Sequence, residues 1–209
     1  MANRNGQRKT REQNRSFRKP ELGYYLIITD TKETEKNYFD GIKSKIPSAL
    51  QDRLVLKTIK TETKNLIDEA QKQISLHPQY CVPWIIFDRD QVQDFDEIIR
   101  KAKENGINVG WSNPCIEIWF HAYWETMPAY IDSQNCCSGF DSLFTKKVGH
   151  PYNKNDTQIY NKICCYGNES KAIKYAKTRH TNYDEKAKPS KMNPCTTVYL
   201  IVEEINSKL

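Results

Sequence analysis

Most of the features that announce a function outright are missing from this chain. No stretch approaches the roughly 18 consecutive apolar residues of a membrane span. The basic N-terminus has no apolar core of a secretory signal, so export is not expected. There is no glycine-rich phosphate loop of the P-loop or dinucleotide type, and no internal repeat. No Cys-x-x-Cys spacing points to zinc, and His77, His150 and His180 have no ligand spacing. Ser112 lacks a nucleophile-elbow context, which argues against a serine hydrolase. The seven cysteines are an odd number and include the adjacent pairs Cys136-Cys137 and Cys164-Cys165. Adjacent cysteines seldom bond to each other because the ring is strained, so free thiols in a reducing cytoplasm are expected.

What is present is unevenly placed. The formal charge of +6 lies entirely in residues 1–20, where Arg4, Arg8, Lys9, Arg11, Arg15, Arg18 and Lys19 face Glu12 alone. Residues 21–209 carry 25 basic and 25 acidic side chains and are neutral overall. An arm with almost no apolar content cannot offset its own ordering entropy and is expected to be flexible. It reads either as a phosphate-binding arm with steep salt dependence or as a solvated leader. The remaining 21–209 can bury one sizeable core and form a single domain, with the polar stretch 128–168 as an insertion.

Along that body, strand and helix patterns alternate. Apolar runs at Tyr24–Thr29, Leu54–Ile59, Val82–Phe87 and Ile107–Trp111 read as strands. Helical periodicity marks Lys32–Lys45, Lys64–Leu76 and Asp94–Glu104, the last closed by Asn105-Gly106 as a left-handed C-cap. Asn113 as N-cap with Pro114 at the first position predicts a further helix. Regularity then fades, leaving short helical pieces at Phe140–Lys147 and Gln158–Cys164, a basic helix at Ser170–Arg179 and a last helix at Thr196–Ser207. The sum is an α/β fold with a mainly parallel four-stranded sheet, helices on both faces, and a helical or irregular C-terminal part.

Two acidic strings stand just past strands: Asp30, Glu33 and Glu35 after the first, Asp88 and Asp90 after the third. In a parallel sheet, strand ends share one edge, so these carboxylates can converge. Unneutralised, they would repel one another; a hard divalent cation, Mg²⁺ or Mn²⁺, removes that cost. Spacing alone leaves open the alternatives of helix-capping acids and of favourable helix-dipole placement. Glu117 and His121, at i,i+4 on the helix after Pro114, share a face and read as a substrate-orienting or proton-transferring pair, or as a hydrogen-bonded pair beside the core. Cys115, near a helix N-terminus, is a candidate for a lowered thiol pKa, but with no base partner beside it a structural role is the favoured reading.

Taken together, Leu26-Ile27-Ile28, Thr34-Glu35-x-x-Tyr38-Phe39, Phe87-Asp88-Arg89-Asp90, Ser112-Asn113-Pro114-Cys115-x-Glu117-x-Trp119 and Pro194-x-Thr196-Thr197-Val198 resemble the RloB family in order and spacing. The resemblance implies a compact Toprim-like domain from a phage-defence locus. It implies a Mg²⁺ site for nucleic-acid strand chemistry, built from a carboxylate after the first strand and a DxD after the third. On this chain those positions are Asp30, Glu35, Asp88 and Asp90, with Glu117 and His121 assisting. The basic arm, Lys171, Lys174 and Arg179 would then steer RNA, tRNA or DNA. The chain departs from the family's Glu-Gly-x-x-Thr-Glu motif by carrying Asp30 and Thr31. The shorter side chain displaces its carboxylate by about 1 Å, which catalytic geometry tolerates poorly. Glu33 and Glu35 are the available substitutes. The rival expectation is therefore a catalytically weak binding or regulatory module that partners an ATPase of the same locus.

Overall fold

A computed structural model of the chain describes residues 22–29, 33–59, 62–90 and 92–209. The basic arm with Arg4, Arg8, Lys9, Arg11, Arg15, Arg18 and Lys19, and also Asp30 and Thr31, lie outside the described residues.

The elements run β1 (Tyr25–Thr29), α1 (Thr34–Lys45), β2 (Leu54–Thr58), α2 (Leu66–Leu76), β3 (Val82–Asp88), α3 (Phe95–Glu104) and β4 (Asn108–Asn113). Then follow α4 (Glu117–His121), α5 (Ser133–Val148), α6 (Ile159–Tyr166), α7 (Glu169–Thr181), β5 (Cys195–Thr196) and α8 (Val198–Lys208). The sheet order is β2-β1-β3-β4-β5. The first four strands are mutually parallel, with Ile27 opposite both Leu56 and Trp84, and β5 pairs antiparallel with β4.

Side-chain alternation along the strands divides the core in two. Tyr25, Ile27, Trp84 and Ile86 point to one face, where they join α1, α4 and α8 through Phe39, Trp119 and Ile201. Leu26, Ile28, Ile85 and Phe87 point to the other and pack on Leu66 and Ala70 of α2 and Phe95 and Ile99 of α3. Strands buried on both faces need continuous apolar runs, and that is why these runs are legible. Gly106 takes φ +69° after α3, the conformation its Asn-Gly ending implies.

Three expectations are corrected. The sheet has five strands and is mixed, because Cys195–Thr196 forms β5 where a helix from Thr196 is expected. Thr197 Oγ accepts from Trp111 N (2.9 Å) and donates to Val109 O (3.2 Å), while Thr196 Oγ donates to Trp111 O (3.1 Å). These threonines spend their hydroxyls on the neighbouring strand, so the helix begins only at Val198. Asn113 is not an N-cap: it ends β4, donates to the carbonyls of Pro189 and Ser190, and α4 starts at Glu117. Finally, α5 runs sixteen residues rather than eight. Asp132 caps it by accepting from Asn135 N, and Cys136, Phe140 and Phe144 recur at i, i+4 and i+8 on its buried face.

Candidate metal site

The chain leaves β1 toward one side of the sheet and β3 toward the other, so β1 and β3 flank a topological switch point. Ligands bind in α/β sheets just beyond the carboxyl ends of strands at such a point. There the structure has a cavity of about 780 Å³. The segments after β1, β2, β3 and β4 each bring acid to it: Glu33 and Glu35, then Glu62, then Asp88, Asp90 and Asp94, then Glu117. Lys64 and Lys154 also line the cavity, each beside one of these acids: Glu62 Oε2 at 2.5 Å and Glu117 Oε1 at 3.6 Å.

The local geometry differs from one acid to the next. Asp88 at the end of β3 accepts the backbone N–H of Ile116 (3.1 Å), tying the strand end to the first turn of α4. Asp90 accepts from the Ser133 hydroxyl (2.6 Å), tying it to the start of α5. Between them Arg89 turns away, donating to Val92 O (2.7 Å) and lying over the Phe95 ring. Glu35 is buried in the first turn of α1, and Glu117 is buried with its Oε1 accepting from the Tyr152 hydroxyl (3.1 Å). Tyr152 and Lys154 belong to the segment between α5 and α6, and Thr34 donates to Lys154 O (3.4 Å), so this segment closes one side of the cavity.

The model of the RloB-like protein family matches residues 25–205, from the first residue of β1 into α8. The chain belongs to the RloB-like family. No curated protein and no solved structure matches it. The matched span of this RloB-like chain includes residues 128–168, whose helices α5 and α6 pack into the core of one sheet face. No helix among the described residues is long and apolar enough to cross a membrane.

Of the candidate residues in the RloB-like chain, the cavity brings together Glu35, Asp88, Asp90 and Glu117. Lys171 and Lys174 are exposed on α7, Arg179 donates to Met127 O (3.3 Å), and none of the three lines the cavity. His121 does not line it either. The His121 ring packs against Tyr130 and Phe140, its Nε2 lies 3.2 Å from the Tyr130 hydroxyl, and its buried Nδ1, with Glu125 Oε1 at 4.0 Å, has no hydrogen-bond partner among the described residues. Burial pushes its pKa down to about 4, against a smaller upward pull from Glu117, so the ring is neutral at pH 7.

This has a consequence for acid stability. In the unfolded chain the imidazole titrates near its ordinary 6.5, so between pH 6.5 and 4 the unfolded state takes up a proton that the folded state refuses. Stability contributed by the neutral ring is intact above that window and falls as pH drops through it, by about 3 kcal/mol at its lower end. Urea unfolding at pH 7, 5.5 and 4.5 should show this loss, and His121→Gln should flatten it. Parallel losses in both proteins would exonerate His121.

The donor set suits a hard, hydrated divalent ion, since such an ion is held through one or two carboxylates and keeps several waters. Asp88, Asp90 and Glu35 share the cavity but are not a tight triad. Among the described residues, the group whose donor atoms all lie within 4.8 Å of one another is Cys115, Glu117 and Cys137. The alternative of a lowered Cys115 pKa is not met. Hydrogen bonds with Cys136 and Cys137, burial, and the charges of Glu117 and Asp88 all push its thiol up. Cys137 is held low instead, chiefly by the Cys115 hydrogen bond. Sequence reasoning missed Cys137, Tyr152, Lys154 and Ser133 at the site. They lie within the polar stretch 128–168, which has no motif, and only tertiary packing carries them to the strand ends.

Proposed function

We propose that this RloB-like chain is a metal-dependent phosphodiesterase of the Toprim type, a nuclease acting on RNA (tRNA included) or DNA in defence against phage. The observation that carries the reading is the delivery of carboxylates from beyond all four parallel strands into one cavity at the switch point. So many acids around one space are costly without a counter-charge, and among the described residues only Lys64 and Lys154 line the cavity to offset them. In this reading Asp88 and Asp90 hold Mg²⁺ or Mn²⁺, with Asp30 or Glu35 completing the set. When bound, the ion supplies polarisation of the phosphoryl oxygen and a more acidic water. Glu35, buried at the first turn of α1, takes the proton of the attacking water. The backbone N–H groups that open α1 and the ammonium groups of Lys64 and Lys154 offset the charge of the phosphate. Lys171 and Lys174, exposed away from the cavity, and the basic residues of the arm attract the polyanion.

The test is to incubate the full chain with tRNA, single-stranded DNA and duplex DNA, each with Mg²⁺, Mn²⁺ or EDTA. Cleavage of one class with either metal and none with EDTA is the expected result. Cleavage that survives EDTA would sink the metal role. No cleavage in any lane would favour the rival, a binding module for an ATPase of the same locus.

A further inference from the structure

We propose that Cys115, Glu117 and Cys137 form a second, soft metal site that binds Zn²⁺ beside the carboxylate site. Their donor atoms lie within 4.8 Å of one another although the residues come from the β4–α4 turn, α4 and α5. Tetrahedral zinc with sulfur ligands at about 2.3 Å needs sulfur–sulfur separations of about 3.7 Å, so the three donors have to draw in by roughly an ångström. All seven cysteines are free, so neither sulfur is spent in a disulfide. Thiolate ligands distinguish this site from the neighbouring all-oxygen cluster, because soft sulfur selects zinc over magnesium.

The surroundings match what a metal ligand set requires. The Tyr152 hydroxyl and the Lys154 ammonium both engage Oε1 of Glu117, which fixes the orientation of the carboxylate. Two thiolates and a carboxylate exceed the charge of Zn²⁺ by one, and Lys154 balances that excess. The cost falls on Cys115, a buried thiol that gives up its proton on ligation and with it the 3.8 Å hydrogen bond to Ser133 O and its hydrogen bonding with Cys136 and Cys137. Cys115 and Glu117 line the large cavity, so the fourth position opens toward it and takes water or a phosphate oxygen. The site would pin α5 to the turn that also receives Asp88, fixing one wall of the cavity.

The spacing gives no warning, because Cys115 and Cys137 are far apart in sequence and neither belongs to a Cys-x-x-Cys pair. The inference does not depend on the nuclease reading, and the experiment separates the two. Full-length chain, purified reduced and without chelator, should carry about one equivalent of zinc by elemental analysis. After metal removal, Co²⁺ titration should give a thiolate-to-cobalt charge-transfer band together with the visible bands of a tetrahedral site. Cys137→Ser should cut the charge-transfer intensity to about half and weaken Co²⁺ binding by more than the ~10–100-fold that follows loss of an outer-shell partner. Cys137 is half-buried, so this variant is a mild change if the buried Cys115→Ser fails to fold. Cys165→Ser, at an exposed thiol, should match the parent. Asp88→Asn/Asp90→Asn should keep the band whether or not nuclease activity is found. No charge-transfer band in the reduced parent protein, or a full band in Cys137→Ser, overturns the proposal.

Discussion

Asp88→Asn/Asp90→Asn is expected to lower the proposed metal-dependent cleavage by about a thousandfold while leaving the folded protein intact. The magnitude follows from the several kcal/mol of charge stabilisation that a bound metal contributes, each 1.4 kcal/mol being about tenfold in rate. Asparagine is the informative replacement. Asp88 accepts the Ile116 backbone N–H at 3.1 Å and Asp90 accepts the Ser133 hydroxyl at 2.6 Å, and an amide oxygen preserves both bonds while removing the charge. Alanine at 88 would strand a buried N–H at a cost of about 1–3 kcal/mol and confuse a folding defect with a catalytic one. The readout is cleavage against Mg²⁺ concentration, alongside urea unfolding of both proteins. Unchanged cleavage at saturating Mg²⁺ would remove Asp88 and Asp90 from the chemistry.

Phe140→Ala should cost about 3–5 kcal/mol of folding stability, the range for emptying a buried aromatic site. The ring is fully buried on α5, with Tyr152 at 4.8 Å between centroids, His121 at 5.5 Å, Phe120 at 5.6 Å and Phe144 at 5.7 Å. These partners come from three stretches of chain, so the cavity left by the truncation cannot close by moving one of them. Tyr152 would lose the ring it packs on edge-to-face, and with it the hold on Glu117. Urea unfolding with an unchanged slope would measure the cost. A loss under about 1 kcal/mol would mean that residues 128–168 are a loosely attached insertion after all.

The difference between α5 and the strands shows how much can be read in advance. Val82–Phe87 declares itself because a strand buried on both faces must be apolar throughout, and its end locates Asp88 and Asp90 without any tertiary knowledge. Ser133–Val148 does not, because its buried stripe of Cys136, Phe140 and Phe144 is thin and most of the rest is polar or glycine, Ser, Asn and Gly among them. Such residues have little helix preference, and only packing on α4 and the capping of Asp132 make the helix. His121 illustrates a subtler limit. Its i,i+4 spacing from Glu117 is visible in the sequence, yet which neighbour takes each side chain depends on α5 and the Tyr152 segment.

By itself, the sequence determined the alternation of strands and helices, the acids at the strand ends and the family, since each of these is local: an apolar period, a cap, a motif in order. Only the tertiary structure decided the mixed five-stranded sheet, the removal of His121 into an aromatic cluster, and the meeting of Cys115, Glu117, Cys137 and Lys154. Those depend on contacts between segments far apart in the chain, and such contacts are set by how whole faces pack rather than by any residue's neighbours in sequence.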